Sequence, residues 1–132
     1  MIPAIGTKLP EASIPVTTLS IVSTAIATRD YQDVHHDLRR AQQLGTPDIF
    51  MNILTSNGYV ERYVAGWAGP GAIIDAIEIR LGTPNHPGDT MVLSGEVVAA
   101  AGAKVTVKVA GVNARGTHLS GTVDLTFPGD AA

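Results

Sequence analysis

One stretch limits the choice of fold more than any other. Between Asp48 and Trp67, apolar residues recur at helical spacing: Phe50, Ile53, Leu54, Val60, Val64 and Trp67 fall on one broad stripe. From Ala72 onward, the apolar runs alternate with period two instead. A chain with one long apolar helix and several half-apolar strands must set them face to face, because each has a single side to bury. Thr46-Pro47-Asp48 reads as the start of this helix, with Thr as the cap, Pro at the first helical position and Asp complementing the dipole. Trp67-Ala68-Gly69-Pro70-Gly71 ends it. Asn57 interrupts the stripe. Gly58 costs about 1 kcal/mol relative to Ala and is expected to permit close helix–sheet packing.

Around this helix the remaining segments read as follows. Pro3, Pro10 and Pro15 each remove a backbone donor, so residues 1–18 form an extended N-terminal arm with at most an edge strand. Leu19 to Ala27 reads as a strand, because Ile21, Val22, Thr24 and Ile26 suit a pleated surface. After His36 comes a short helical unit capped by Asp37, with Leu38 and Ala41 on one face and Gly45 at its end. Ala72 to Leu81 alternates, with Ile73, Asp75, Ile77, Ile79 and Leu81 on one side, and Asp75 is expected at the strand's exposed end. Thr83 to Asp89 is a turn-rich loop. Thr90–Ala100, Ala103–Val112 and His118–Phe127 follow as strands, and the short turns between them make an antiparallel meander. The expected fold is α+β: a single hot-dog domain spanning residues 1–132, with an antiparallel sheet wrapped around a long central helix.

Composition narrows the function. The chain has 132 residues and 45% apolar content, enough for a real core and against disorder. It has no cysteine, which excludes disulfides, thiolate chemistry and cysteine-ligated zinc and suits a reducing compartment. A net charge of −3 with no basic patch points away from nucleic acid. Met1 to Gly6 lacks the pattern of a signal peptide, and no apolar run reaches the length of a membrane span. A cytoplasmic domain with neither a nucleic-acid nor a membrane partner is expected.

The chemistry concentrates in Thr28 to Ala41, where Asp30 stands five residues before His35. A carboxylate and an imidazole this close can share acid and base work on one water molecule. Hydrating a double bond conjugated to a carbonyl needs a base for the water, an acid for the α-carbon and donors for the enolate oxyanion. The start of the long helix offers free N–H groups for that last task. Spacing alone leaves a second reading open, in which Asp30 caps a turn and His35 is solvated. His35-His36-Asp37 lacks metal-ligand spacing, so no metal is expected. His86 and His118 are expected at the surface. Tyr31, Tyr59 and Tyr63 are expected to pack with their hydroxyls in water. Nucleophile elbow, P-loop and dinucleotide fingerprint are all absent from the sequence.

The segment Arg29-Asp30-Tyr31-Gln32-Asp33-Val34-His35, with Ala41 beyond it, resembles the MaoC-type (R)-specific enoyl-CoA hydratase family. That family's signature is G-D-x-N-P-[ILV]-H, then five residues and Ala or Ser. Arg29, Gln32 and Asp33 depart from it, and Phe50-Met51 replaces the family's His-Gly at the helix start. The wider pattern of Thr28–Asp37, Asp48–Thr55 and Trp67–Pro70 is similar to the small subunits of actinobacterial steroid side-chain enoyl-CoA hydratases. The resemblance implies that Asp30 and His35 are the catalytic pair and that an N–H within Phe50, Met51 and Asn52 binds the thioester oxygen. It implies an acyl-CoA substrate carrying a shortened, unsaturated steroid (cholesterol) side chain, with no cofactor beyond the coenzyme A of the substrate. It also implies a longer MaoC-like partner, with a homodimer as the fallback when the chain is alone. Two competing readings share the fold: an acyl-CoA thioesterase and a non-catalytic partner subunit.

Overall fold

The computed structural model describes residues 2–131, side chains through Gly129. In chain order the elements are β1 (Lys8–Pro15), α1 (Thr18–Ala27), a 3-10 turn at Asp33–His35, α2 (Leu38–Gln43), α3 (Ile53–Ala68), β2 (Ile73–Leu81), β3 (Thr90–Ala101), β4 (Lys104–Asn113), β5 (Gly116–Thr126) and a closing 3-10 turn at Pro128–Ala131. The five strands form one antiparallel sheet in the order β1-β3-β4-β5-β2. The inner face contributes Met91, Leu93, Val97, Val105, Val107, Val109, Leu119, Val123 and Leu125, and these close on Val60 and Val64 of α3. The sheet wrapped over one long helix is the hot-dog arrangement expected from the pattern. The N-terminal arm supplies the edge strand β1, which pairs with β3.

Leu19 to Ala27 is a helix, not a strand. Thr17 and Ser20 form a reciprocal capping box that starts α1. Ile21 and Ala25, one turn apart, are its buried residues. The Ser23 and Thr24 hydroxyls bond back to carbonyls one turn earlier. Helical packing of Ile21 and Ala25, together with a good cap, overrides the β-branched propensity of this stretch.

The long helix also starts later than Thr46. Its N-cap is Asn52, whose side chain accepts the Thr55 N–H. Thr46, Pro47 and Asp48 belong to a connecting segment, in which the Asp48 carboxylate accepts the N–H of Ile49. Ile53 and Leu54, placed on the apolar stripe by spacing, are 52% and 53% exposed, and Thr55 and Ser56 take the inward positions. Gly58 does not mediate close packing either. It is exposed, and a Cβ there would meet nothing within 4 Å. In α2, Asp37 caps as expected and Ala41 is buried, but Leu38 is exposed. A register shift between Ile74 and Ala76 rotates the start of β2, so Ile74, Ile77 and Ile79 pack on the core while Ile73 turns outward. Asp75 is exposed, as expected, and accepts the Thr126 hydroxyl. Tyr59 and Tyr63 pack against the core, and the Tyr63 hydroxyl donates to Pro10 O at 2.6 Å rather than to water. Tyr31 is exposed. No described helix is long and apolar enough to cross a membrane.

Candidate active site

The end of α1 delivers Asp30 to the site. Its C-cap is Thr28, and Arg29 then turns the chain at φ 57°, the one described non-glycine residue with positive φ. The Asp30 N–H returns to Ala25 O at 2.8 Å. The 3-10 turn that follows aims His35 back at Asp30, with Oδ2 to Nε2 at 3.3 Å. Both side chains are largely buried, His35 more so. Asp30 and His35 therefore meet, and the reading of a solvated His35 falls away.

His35 Nδ1 lies 2.6 Å from Phe50 O, an acceptor, so the proton is on Nδ1. This turns Nε2, the basic nitrogen of the neutral ring, toward Asp30. His36 Nε2 donates to the backbone oxygen of Asp30 at 2.7 Å, which fixes the turn from its other side. Asp30 accepts from Asn52 Nδ2 at 3.1 Å and from the Gln32 N–H at 3.3 Å. Burial pushes the Asp30 carboxyl up, but these donors and the neighbouring histidines outweigh it and hold the pKa below the ordinary 3.8. In this neutral tautomer Asp30 Oδ2 and His35 Nε2 are both acceptors, an arrangement that one water molecule donating an O–H to each would satisfy.

The pair opens into a cavity of about 330 Å³ that is also lined by Phe50, Met51, Asn52, Ile53, Leu81, Gly82, Pro84 and His118. The donors expected at Phe50 and Met51 are already engaged: Phe50 N–H goes to Val34 O at 3.0 Å and Met51 N–H to Asn85 O at 3.1 Å. Among the described residues, the N–H groups of Asn52 and Ile53 at the tip of α3 have no acceptor. Both residues line the cavity, which sets the positive end of the helix in its wall. The described residues hold no cluster of three or more His, Asp or Glu able to take a metal.

A second layer, which the sequence did not reveal, fixes the cavity wall. His118 is 1% exposed rather than at the surface. Its Nδ1 donates to Thr83 O at 2.7 Å, and its Nε2 accepts the Ser56 hydroxyl at 2.8 Å. Burial pushes its pKa below 6.5. His86 is half-buried and its Nδ1 donates to Ile49 O. Asn113 donates to Pro84 O and to Asn85 Oδ1, while Arg115 and Asp89 form a two-pronged ion pair beside them. The loop 83–89 is thus pinned to the sheet, and through Asn85 and His86 it pins residues 49–51 behind His35. In sequence these residues look like ordinary turn and strand-end polar groups. Asn85, Asn113 and His118 are buried because the loop folds back over the start of β5, with the Gly82 and Thr83 N–H groups donating to His118 O and Thr117 O.

No family model matches the chain. Among solved structures, an (R)-hydratase from A. caviae involved in PHA biosynthesis superposes with a TM-score of 0.84 at 17% identity, over 96% of this chain and 98% of that one. The fold is therefore that of MaoC-like (R)-hydratases. A Mycobacterium tuberculosis protein, the 3-oxo-4,17-pregnadiene-20-carboxyl-CoA hydratase beta subunit, is 51% identical over 123 residues, covering 93% of this chain and 95% of its own. A chain of the ChsH1-ChsH2 complex from M. tuberculosis superposes with a TM-score of 0.93 at 49% identity, over 96% of this chain and 99% of that one. The chain belongs to the family of that hydratase beta subunit and shares the fold of the MaoC-like hydratases.

Proposed function

We propose that this chain is the dyad-bearing subunit of an enoyl-CoA hydratase that adds water across the double bond of an α,β-unsaturated steroid side-chain thioester. The observation that carries the reading is the 3.3 Å approach of Asp30 Oδ2 to His35 Nε2 at the mouth of a cavity capped by the α3 N-terminus. In this reading Asp30 and His35 hold one water between them. The water oxygen bonds to the β-carbon as one of its protons passes to the dyad. The π electrons move toward the thioester oxygen, which the Asn52 and Ile53 N–H groups stabilise as an oxyanion. The dyad then returns a proton to the α-carbon, so one water is added and the enzyme is unchanged. Coenzyme A enters as part of the substrate, and no further cofactor is required.

Size and the relatives both support a partner. A cavity of about 330 Å³ is at the small end of ligand sites, roughly 300–1,000 Å³. A steroid thioester overflows it past Leu81 and Ile53, both exposed. We infer that a longer MaoC-like subunit supplies the missing wall, in line with the complex that the M. tuberculosis relative forms.

The test is a hydration assay with short fatty enoyl-CoA and steroid enoyl-CoA, run with and without the candidate partner. Loss of enoyl absorbance without release of free thiol, fastest for the steroid substrate in the complex, is expected. Thiol release would indicate a thioesterase instead.

A further inference from the structure

We propose that Asn52 is a positioning residue for Asp30, tying the tip of α3 to the carboxylate of the dyad. The effect on turnover rests on the hydratase reading above, whereas the clamp itself rests on geometry alone. Asn52 Nδ2 donates to Asp30 Oδ2 at 3.1 Å and to Thr28 Oγ1 at 2.9 Å. Its Oδ1 accepts the Thr55 N–H at 2.9 Å and the Thr55 hydroxyl at 2.5 Å. Both amide hydrogens and both lone pairs are used, and the residue is 3% exposed.

The identity of the residue follows from its two tasks. A helix N-cap needs a side-chain acceptor, which Ser, Thr, Asp and Asn all provide. Asp30 needs a donor. An ionised Asp has none, and the short hydroxyl of Ser or Thr cannot face the Thr55 N–H and reach the carboxylate at once. Asn does both from opposite ends of one amide. The titratable groups acting on Asp30 are His35 and His36, both on the turn, while α3 presents the uncharged Asn52. Asp30 Oδ2 receives Asn52 and also faces His35 Nε2, so the oxygen that would touch the water is the one that Asn52 holds in place.

Asn52→Ser and Asn52→Asp separate the two tasks, because each keeps a good N-cap. Ser withdraws the donor from Asp30, and Asp sets a second carboxylate against it. The carboxyl titration of Asp30, followed by NMR in the full chain, should have its midpoint lowest in the wild type, higher in Asn52→Ser and highest in Asn52→Asp. In the enzyme assembled with its partner, kcat should fall by roughly 10- to 10²-fold with KM nearly unchanged. The acid limb of the rate profile should rise in the same order. Folded variants in which the Asp30 midpoint does not move would overturn the proposal and leave Asn52 as a helix cap only. A wild-type protein that hydrates nothing, yet shows the predicted order of midpoints, would sink the hydratase reading and leave the clamp standing.

Discussion

At Arg29 the backbone sits at φ 57° immediately before the dyad carboxylate. A left-handed conformation costs an ordinary side chain about 1–2 kcal/mol, part of which glycine returns as extra freedom of the unfolded chain. Arg29→Gly should therefore raise stability by up to about 1 kcal/mol, and Arg29→Val should lower it by about as much or more. Denaturant unfolding of the three proteins checks the order. The signature's glycine falls at this position, so the sequence marked the departure, though only the backbone explains it. His118 makes a different prediction. Burial holds its pKa below 6.5, so as pH falls through 6.5 the unfolded chain takes up a proton that the folded one refuses. Stability should then decline as pH drops below this value, until the folded pKa is passed. Asp89 is the charged group that acts against this shift. The melting temperature of His118→Gln should fall less than that of the wild type between about pH 7.5 and 5.5. An equal fall in both would contradict the assignment.

Among the elements, α3 does two jobs, forming the core with Val60 and Val64 and the site with its first turn. Its first residue after the cap, Ile53, gives a clean test of the oxyanion role. Proline is well tolerated at the first helical position, and Asn52 at φ −79° and ψ 162° already has the extended backbone that a following proline demands. Ile53→Pro thus deletes one N–H while keeping the helix and should lower kcat by roughly 10²–10³-fold. Circular dichroism should show the helix intact, and a folded variant with normal turnover would exclude this amide. The elements also show what the sequence could convey. The strands β3, β4 and β5 were legible because alternation and short turns are local signals. The start of α3 was not, because Thr46-Pro47-Asp48 and Asn52 are both sound caps, and the choice fell to tertiary bonds from Val34 and Asn85 to residues 50 and 51. In α1, β-branched residues mask the capping box of Thr17 and Ser20, so the stretch reads as a strand. Asp30 and His35 were legible as a pair, whereas His118, Ser56 and Asn85 were not, since nothing local says that loop 83–89 will cover them.

For the whole molecule, the dyad lies at a rim rather than in a closed pocket. Beside it, Leu81 ends the edge strand β2, and Ile53, Leu54 and Leu81 expose apolar surface. Unpaired edges and apolar rims are liabilities unless a second subunit covers them. On the proposed function, this chain brings the acid–base pair and the helix tip, and a partner brings the wall. The chemistry then belongs to this chain. The steroid enoyl-CoA hydration rate of the assembled complex carrying Asp30→Asn, His35→Ala or both decides this. Each single variant should lose roughly 10²–10⁴-fold in kcat, and the double should lose far less than the product, because the two side chains act as one unit. A complex that assembles normally with either variant and keeps near wild-type turnover would contradict the account and assign the chemistry to the partner.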